Sequence, residues 1–358
     1  MPVDRKHAVR AAFLVMFFVC AAIAVWFFRS SGVGMNSGSR DGLSMDTLVS
    51  VLVHSRQTPN EINLMLDGAF ELIDGFDKKL SMHDPSSDVS RVNASAGLAA
   101  VKVAPETFEA LSSALRIAEV SGGAFDPSVG PISTLWRVGD RENPLTEIPK
   151  ADEIEATLSL VGYNMVSTEA PDKIFLENSG MKLDLGGVAK GYVSGEVGDF
   201  LRANGVESAI LDLGGNVLVV GGRPDGEAWR IGVQHPLKPR GEPICSVAIR
   251  DSSVITAGVY ERFVEIGGKR YAHIFDPRAG RPVEGNLLSA TVISDDPAVG
   301  DALSTAFMVM GIGSSKELAA RLGVEAIFVY SGEDGGVEVT TTDGLEGRVV
   351  MIGNETRR

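Results

Sequence analysis

The chain has 358 residues, of which 44% are hydrophobic and 22% charged, and its formal net charge at pH 7 is −14. This length allows one large domain or two moderate ones, with an ample core. The acidic balance excludes a general nucleic-acid binder, because phosphate contacts need lysine and arginine, but it suits a site that gathers a divalent cation.

The first predicted element in chain order is a membrane segment. Residues 1–10 carry three basic side chains and precede residues 11–28, which are apolar and uncharged. As a helix, residues 11–28 would span about 27 Å, close to the thickness of a bilayer core. The basic residues should stay in the cytoplasm, with the body on the other side of the membrane. A cleavable signal peptide is the alternative, with Ala-Ile-Ala at 22–24 as a cleavage pattern, but the length of the apolar run favours an uncleaved anchor.

The rest of the chain is predicted to be a short linker followed by one domain. Residues 29–40 are rich in serine and glycine and should form a flexible linker, so that the domain spans residues 41–358. Apolar residues at helical spacing predict helices at 59–80, 105–120, 192–203, 297–310 and 314–322. Short apolar runs predict strands at 47–55, 207–213, 216–221, 229–233, 246–250, 262–266, 270–275, 288–293, 326–330 and 337–341. Because helices interleave with hairpins and do not alternate strictly with strands, the fold class is α+β, not a doubly wound parallel sheet.

The segment 121–131 reads SGGAFDPSVGP and is the first with possible chemistry. A helix ends at its glycines, and the Asp-Pro pair makes a rigid corner. Phe125 beside Asp126 would offer a flat ligand an apolar surface and one polar anchor. The alternative is a structural turn with Phe125 in the core, which the spacing by itself favours.

The segment 184–191 reads DLGGVAKG, with Asp184 at one end and Lys190 near the other. Glycine-rich turns that open a helix let backbone N–H groups approach a phosphate, so this segment suggests a phosphorylated ligand. Its spacing matches neither the dinucleotide fingerprint nor the Walker loop. A strand-to-helix turn that uses glycine for tight packing is an equally good explanation.

The segment 271–282 reads YAHIFDPRAGRP, and His273 precedes its Asp-Pro corner. A histidine with a pKa near neutrality is a natural general base. A single histidine in a strand is more often structural, so both interpretations stay open.

The segment 298–305 reads AVGDALST and falls within a predicted helix. Asp301 and Thr305 are four residues apart, so their oxygens share one helix face. With backbone carbonyls they could bind Mg²⁺ and leave room for phosphate oxygens. The alternative, an exposed aspartate and a threonine bonded to its own helix, is the better explanation of this segment by itself, but Asp184 and the glycine-rich turn elsewhere in the chain favour the metal.

Taken together and in chain order, seven motifs resemble those of the FAD:protein FMN transferases, the ApbE family. They are LSMHDPSSDVSRVN, SGGAFDPSVGP, DLGGVAKGY, LDLGGN, AGVYERF, HIFDPRAGRP and GDALSTAFMVMG, and they cover most of residues 45–311. The resemblance implies a T-fold-like α+β architecture, with mixed or antiparallel sheets flanked by helices.

The resemblance also implies a reaction and its partners. FAD binds as substrate, Mg²⁺ binds its pyrophosphate, and a threonine hydroxyl of a target protein attacks the phosphorus on the FMN side, so that AMP leaves. The target would be an exported or membrane redox protein. The enzyme would lie in the inner membrane with its catalytic domain on the periplasmic side.

Site residues follow from the same resemblance, position by position. His273 would be the base or a phosphate partner, and Asp301 the second catalytic residue. The metal would be held by Gly187, Ala298 through its carbonyl, Asp301 and Thr305. FAD would be contacted by Met45, His83, Ala124, Phe125, Asp126, Asp184, Lys190, His273 and Ile274.

Two positions depart from the family pattern. Met45-Asp46-Thr47 stands where the family has Met-Gly-Thr, and His83 stands where transferases usually have a tyrosine that stacks on the flavin. Histidine stacks less extensively than tyrosine. The alternative function is therefore an FAD pyrophosphatase on the same site, with water in place of threonine and FMN and AMP as products.

Overall fold

The computed structural model describes residues 35–353, except residues 139, 141 and 142. The predicted N-terminus and membrane segment lie outside these residues. Within the described part of the chain, no helix combines the length and the hydrophobicity needed to cross a bilayer.

The described residues form eight α-helices and eighteen strands. The helices are α1 (Pro59–Leu80), α2 (Asp88–Ala94), α3 (Pro105–Val120), α4 (Gly130–Trp136), α5 (Ala151–Leu158), α6 (Ala189–Ala203), α7 (Pro297–Met310) and α8 (Ile312–Leu322). The strands are β1 (Asn36–Ser44), β2 (Thr47–Ser55), β3 (Val101–Lys102), β4 (Val166–Glu169), β5 (Lys173–Leu176), β6 (Ser208–Leu213), β7 (Asn216–Val220), β8 (Trp229–Gln234), β9 (Pro243–Ile249), β10 (Ser253–Gly258), β11 (Phe263–Ile266), β12 (Lys269–Ala272), β13 (Phe275–Asp276), β14 (Arg281–Pro282), β15 (Leu287–Ser294), β16 (Glu325–Ser331), β17 (Val337–Thr341) and β18 (Val349–Met351). Short 3₁₀ helices lie at Tyr163–Met165 and Asp343–Leu345.

The central feature is an eight-stranded sheet in the order β1-β2-β6-β7-β10-β15-β16-β17. Every neighbouring pair is antiparallel. Helices α1, α6, α7 and α8 bury one face of this sheet. The small sheet β18-β9-β8 shares a second apolar core with the other face. This layering confirms the predicted α+β class with antiparallel sheets and flanking helices.

The predicted linker is wrong for residues 36–40, which form the first half of β1. The glycines of β1 instead allow α1 to pack closely on this strand. A Cβ at Gly38 would lie 2.6 Å from Ile62 Cγ2, and a Cβ at Gly42 would lie 2.5 Å from Phe70 Cε1. The same composition therefore serves close packing, and the folded domain begins before Asp41.

Two hairpin turns bring potential site residues to one end of the large sheet. The β1–β2 turn contains Met45 and Asp46, and the β6–β7 turn contains Gly214 and Gly215. The two turns are adjacent, because the Gly214 amide donates to the Leu48 carbonyl at 3.0 Å.

Helix α7 begins where the sequence predicts it because its N-terminus is capped. Asp296 precedes it, and its side chain accepts hydrogen bonds from the amides of Ala298 (2.9 Å) and Val299 (3.2 Å). Pro297 occupies the first turn, where its missing N–H costs nothing. This cap fixes the register in which Asp301 and Thr305 face α6.

Candidate active site

The crossing of α6 and α7 holds Asp301 in a fixed position. Its side chain is 4% exposed. Oδ2 accepts from the Gly191 amide at 2.8 Å, and Oδ1 accepts from Asn216 Nδ2 at 2.9 Å. The sequence alternative of an exposed aspartate is therefore wrong. Each carboxylate oxygen keeps further acceptor capacity, so Asp301 can still bind a cation.

The glycine-rich turn meets α7 at Thr305. A Cβ at Gly187 would lie 3.3 Å from Thr305 Oγ1 and 2.9 Å from Phe125 Cε2. Thr305 Oγ1 makes no hydrogen bond to any described residue, whereas Ser304 Oγ donates to the Asp301 carbonyl at 2.8 Å. The alternative of a threonine bonded to its own helix is thus not observed. Gly187, Thr305 and Phe125 form one small cradle.

The oxygen donors near this cradle fit a magnesium ion. No three side chains among His, Cys, Asp and Glu converge to hold a metal within the residues that the structure describes. A cation here would have one carboxylate, one hydroxyl and backbone carbonyls, with other ligands from a bound phosphate. Ala298 lies in the first turn of α7, three residues before Asp301, and is buried. This donor set is all oxygen, which Mg²⁺ prefers.

The turn around Gly186 is closed by two charged side chains. Asp184 Oδ1 accepts from the Gly186 amide at 2.9 Å, and Lys190 Nζ donates to the Gly186 carbonyl at 3.3 Å. The Asp184 amide donates to the Pro127 carbonyl at 2.8 Å, which joins this turn to the 121–131 loop. Two motifs that are far apart in sequence are therefore adjacent.

Asn93 supports the same turn from α2, a role that no local sequence pattern predicts. Asn93 Oδ1 accepts from the Leu183 amide at 2.6 Å, and its Nδ2 donates to the Leu183 carbonyl at 3.0 Å. A side-chain amide can donate and accept at once, so it pairs with the N–H and C=O of one residue as a neighbouring strand would. The segment before the glycines is thus held rigidly.

Phe125 and Asp126 lie in a well-anchored loop. Phe125 is buried in the main core, as the structural alternative predicted, together with Ala124. Asp126 Oδ1 accepts from the amide and the hydroxyl of Ser128 at 2.8 and 2.7 Å, and Oδ2 accepts from the Tyr163 amide at 2.9 Å. Burial raises the pKa of Asp126 despite these hydrogen bonds.

A cavity of about 380 Å³ lies beside this loop. Its lining includes Gly122, Gly123, Asp126, Tyr163 and Arg278. It therefore joins the 121–131 loop to the Asp-Pro corner that follows His273.

His273 is oriented by a single backbone carbonyl. Its Nδ1 lies 3.1 Å from the Arg262 carbonyl oxygen, and its own amide donates to the same oxygen at 3.0 Å. Because a carbonyl can only accept, this contact assigns the proton of the neutral ring to Nδ1 and leaves a free electron pair on Nε2.

The surroundings of His273 keep its ring neutral. Its side chain is half-buried but densely surrounded, and this desolvation lowers its pKa to about 4, with smaller contributions from the charges of Lys190 and Arg262. The hydrogen bond to Arg262 and the charge of Asp184 act in the opposite direction. A neutral ring at physiological pH can accept a proton. The next residue, Ile274, is buried in the main core.

Met45 and His83 both lie near the C-terminal end of α1. The Met45 amide donates to Asp77 Oδ2 at 3.2 Å, and Arg262 Nη2 donates to the carbonyl of Asp46 at 3.3 Å. His83 is exposed three residues after α1 ends, and its amide donates to Ser81 Oγ at 3.1 Å. No described contact joins its ring to the other predicted residues.

Three supporting residues, Asn93, Asn216 and Arg262, were not among the predicted site residues. Each lies in one of the family-like motifs, at the end of SRVN, LDLGGN and AGVYER. A motif indicates that a residue lies near the site, but it does not show what that residue bonds to. Both asparagines bond to residues 85 or more positions away in the chain. Only the folded chain reveals such pairs.

Known proteins resemble this chain along most of its length. The sequence model of the ApbE family matches residues 45–328. An FAD:protein FMN transferase of Treponema pallidum is 35% identical over 308 residues, which is 82% of this chain and 84% of that protein. One of Klebsiella pneumoniae is 37% identical over 269 residues, 74% of this chain and 82% of that protein.

Solved structures share the fold. The ApbE protein of Thermotoga maritima is 29% identical with a TM-score of 0.78, over 87% of this chain and 99% of that one. The apo form of the flavinyl transferase ApbE of Pseudomonas stutzeri is 29% identical with a TM-score of 0.77, over 88% of this chain and 97% of that one.

Proposed function

This chain belongs to the ApbE family of flavin transferases, and we propose that it uses Mg²⁺ and moves the FMN half of FAD onto a threonine hydroxyl of another protein. The observation that carries this proposal is the meeting of Asp301 and Thr305 with the glycine-rich turn, close to a neutral histidine base. Together these groups suit the splitting of a pyrophosphate.

The metal would be held by Asp301, Thr305, the Gly187 region and the Ala298 carbonyl. When bound, Mg²⁺ neutralises charge on the pyrophosphate and so favours attack by an oxygen nucleophile. The free hydroxyl of Thr305 and the cradle that any Cβ at Gly187 would fill support this assignment.

The side chains around the turn would bind and orient FAD. Lys190 provides a positive charge beside Gly186, and the N-terminus of α6 provides backbone N–H groups. The cavity beside Asp126, of about 380 Å³, has the size of a small-ligand pocket and would take one end of the dinucleotide.

His273 would accept the proton of the acceptor threonine on Nε2. A bond forms between the threonine oxygen and the phosphorus on the FMN side, and the bond from that phosphorus to the bridging oxygen breaks. AMP leaves with the bridging oxygen, and FMN stays on the acceptor as a phosphoester. Positioning of the hydroxyl in line with the leaving group supplies much of the rate.

The direct test incubates the protein with FAD, Mg²⁺ and a candidate exported redox subunit. We expect flavin fluorescence on the subunit after denaturing electrophoresis, and we expect it to be lost with EDTA or with Asp301→Ala. Release of AMP without a labelled acceptor, across several candidate subunits, would contradict the transferase proposal.

A second candidate function is hydrolysis of FAD to FMN and AMP. The observation that favours it is the exposed His83 at a position where a tyrosine is expected to stack on the flavin. Free FMN should then form without any acceptor, and His83→Tyr should suppress it while His83→Ala should not. Equal hydrolysis by His83→Tyr and the original protein would remove this role of His83.

We also propose that residues 11–28 anchor the protein in the inner membrane, with the catalytic domain on the periplasmic side. The charge asymmetry around this segment supports the orientation. The acceptor would then be an exported or membrane redox protein. Cell fractionation with protease treatment of spheroplasts tests this: the domain should be membrane-bound and digested from outside, and a protected domain would reverse the orientation.

A further inference from the structure

The turn between β1 and β2 is strained and carries no glycine. Met45 has φ 52° and Asp46 has φ 56°, both in the left-handed region. Such residues cost on the order of 1–3 kcal/mol each and persist only when their surroundings hold them in place. Aspartate tolerates this region better than most residues, but less well than glycine.

Two contacts from other elements hold this turn. On one side, the Met45 amide donates to Asp77 Oδ2 in the last turn of α1 at 3.2 Å. On the other side, Arg262 Nη2 donates to the Asp46 carbonyl at 3.3 Å across 216 residues of sequence. The turn is thus fixed from outside, because its own backbone does not favour the conformation.

Arg262 also contacts His273, through its backbone carbonyl instead of its guanidinium group. Its carbonyl accepts from both the amide and Nδ1 of His273, while its guanidinium reaches Asp46. One residue therefore joins the turn of Met45 to the turn of His273.

We propose that Arg262 is a positioning residue that holds the Met45–Asp46 turn in place against the His273 turn, so that both turns present their side chains to FAD together. This inference rests on the proposed function, since it takes Met45 and His273 as FAD contacts. It also explains why Asp46, which replaces the glycine of the family pattern, matters. A turn without glycine depends more on the hydrogen bond from Arg262 that holds it, which we call the clamp.

The first test measures FAD affinity by quenching of flavin fluorescence. Arg262→Ala should weaken FAD binding about 3- to 10-fold, and Arg262→Lys should weaken it less, because an ammonium group can still donate to the carbonyl. Arg240→Ala is the matched control. Arg240 is also an exposed arginine that donates to a hairpin carbonyl, that of Gly214, at 3.2 Å, and its loss should change FAD affinity less than 2-fold.

The decisive test repeats Arg262→Ala in an Asp46→Gly background. Glycine adopts positive φ without strain, so the clamp becomes less necessary and the loss of affinity should shrink to less than 2-fold. If Arg262 instead bound a phosphate of FAD directly, the loss would be the same in both backgrounds, and the proposal would be overturned.

A readout without FAD separates this proposal from the proposed function. Hydrogen exchange of the residue 44–48 amides should accelerate in Arg262→Ala at an unchanged melting temperature, and Asp46→Gly should reduce that difference. Unchanged exchange in Arg262→Ala would overturn the clamp even if FAD binds. Failure of the original protein to bind FAD, with the exchange effect present, would count against the proposed function and leave the clamp standing.

Discussion

At the scale of single residues, Asp301 combines a structural and a chemical role. Its two oxygens accept hydrogen bonds from Gly191 on α6 and Asn216 on β7 while it remains almost fully buried. It therefore ties α7 to two other elements at the point where the metal would bind. A change at this residue should alter both the stability of the protein and its response to Mg²⁺.

We expect Asp301→Asn to lower the free energy of unfolding by about 1–3 kcal/mol. The new amide NH₂ group would face the N–H donor of Gly191 or Asn216, and it cannot accept that hydrogen bond. The rise of melting temperature on addition of Mg²⁺ and FAD should also disappear. Thermal unfolding with and without these ligands measures both effects.

Asp296→Asn is the matched control for this substitution. Asp296 caps the same helix, and asparagine caps helices as well as aspartate does. Its stability should change by only a few tenths of a kcal/mol, and its Mg²⁺ response should remain. An equal loss of the Mg²⁺ response in both variants would contradict a specific role of Asp301.

His273 gives a prediction about pH. Its pKa is about 4 in the folded protein and 6.5 in an unconstrained chain, so between these values the unfolded state binds more protons. The contribution of His273 to stability is therefore fully present above pH 6.5 and is lost as the pH falls toward 4. Urea unfolding should show a smaller loss of stability between pH 6.5 and pH 5 in His273→Gln than in the original protein, and identical slopes would contradict the lowered pKa.

At the scale of elements, the close approach of α6 and α7 positions the proposed metal ligands. It depends on Gly191, where a Cβ would lie 2.2 Å from the Pro297 carbonyl oxygen and 2.6 Å from Asp301 Cβ. One turn later, a Cβ at Gly195 would lie 3.7 Å from Pro297 Cδ, which is ordinary contact. The packing of α6 against α7 therefore requires glycine at 191 but leaves room for a larger residue at 195.

We expect opposite effects from alanine at these two positions. Gly191→Ala should destabilise the protein by about 1–3 kcal/mol, because the new methyl group would overlap the Pro297 carbonyl oxygen and the Asp301 Cβ. Neither atom can move without the helix backbone, so the two helices would have to separate. Gly195→Ala should stabilise it by about 0.5–1 kcal/mol, because glycine is a poor residue inside a helix. Chemical denaturation of the two variants measures the difference, and similar effects on stability would show that the crossing is not tightly packed.

At the scale of the whole molecule, the site exists only when distant parts of the chain come together. Its groups come from the turn before β2, the loop after α3, the start of α6, the turn after β12 and the helix α7. Binding of FAD should therefore stabilise the described domain as one unit, by about 2.7 kcal/mol at a free concentration of 100 times Kd.

FAD and Mg²⁺ together should raise the melting temperature by more than the sum of their separate effects, because in the proposed site the pyrophosphate would supply oxygen ligands to the metal. Calorimetry with each ligand alone and with both tests this coupling. Strictly additive shifts would indicate that the metal binds away from the nucleotide.

Much of the fold is predictable because apolar spacing and residues typical of helix starts indicate the same element bounds. Helices at 59–80 and 297–310 were predicted at their observed bounds, since Thr58-Pro59 and Asp296-Pro297 cap them. Strand β10 was missed although it is central in the sheet, because its six residues between turns carry no clear alternation. Residues 36–40, the first half of β1, are predicted as linker because serine and glycine suggest flexibility, whereas in the fold α1 packs against Gly38.

The sequence by itself determined the α+β class, the bounds of the main helices and the family, because these depend on local patterns and on the order of motifs. Only the tertiary structure decided that Asp301 is buried between Gly191 and Asn216, that the Thr305 hydroxyl bonds to none of the described residues, and that Arg262 joins His273 to the Met45 turn. The physical reason is that hydrogen bonds and close packing join residues up to 216 positions apart. Their partners depend on sheet order and helix crossing, which no local pattern specifies.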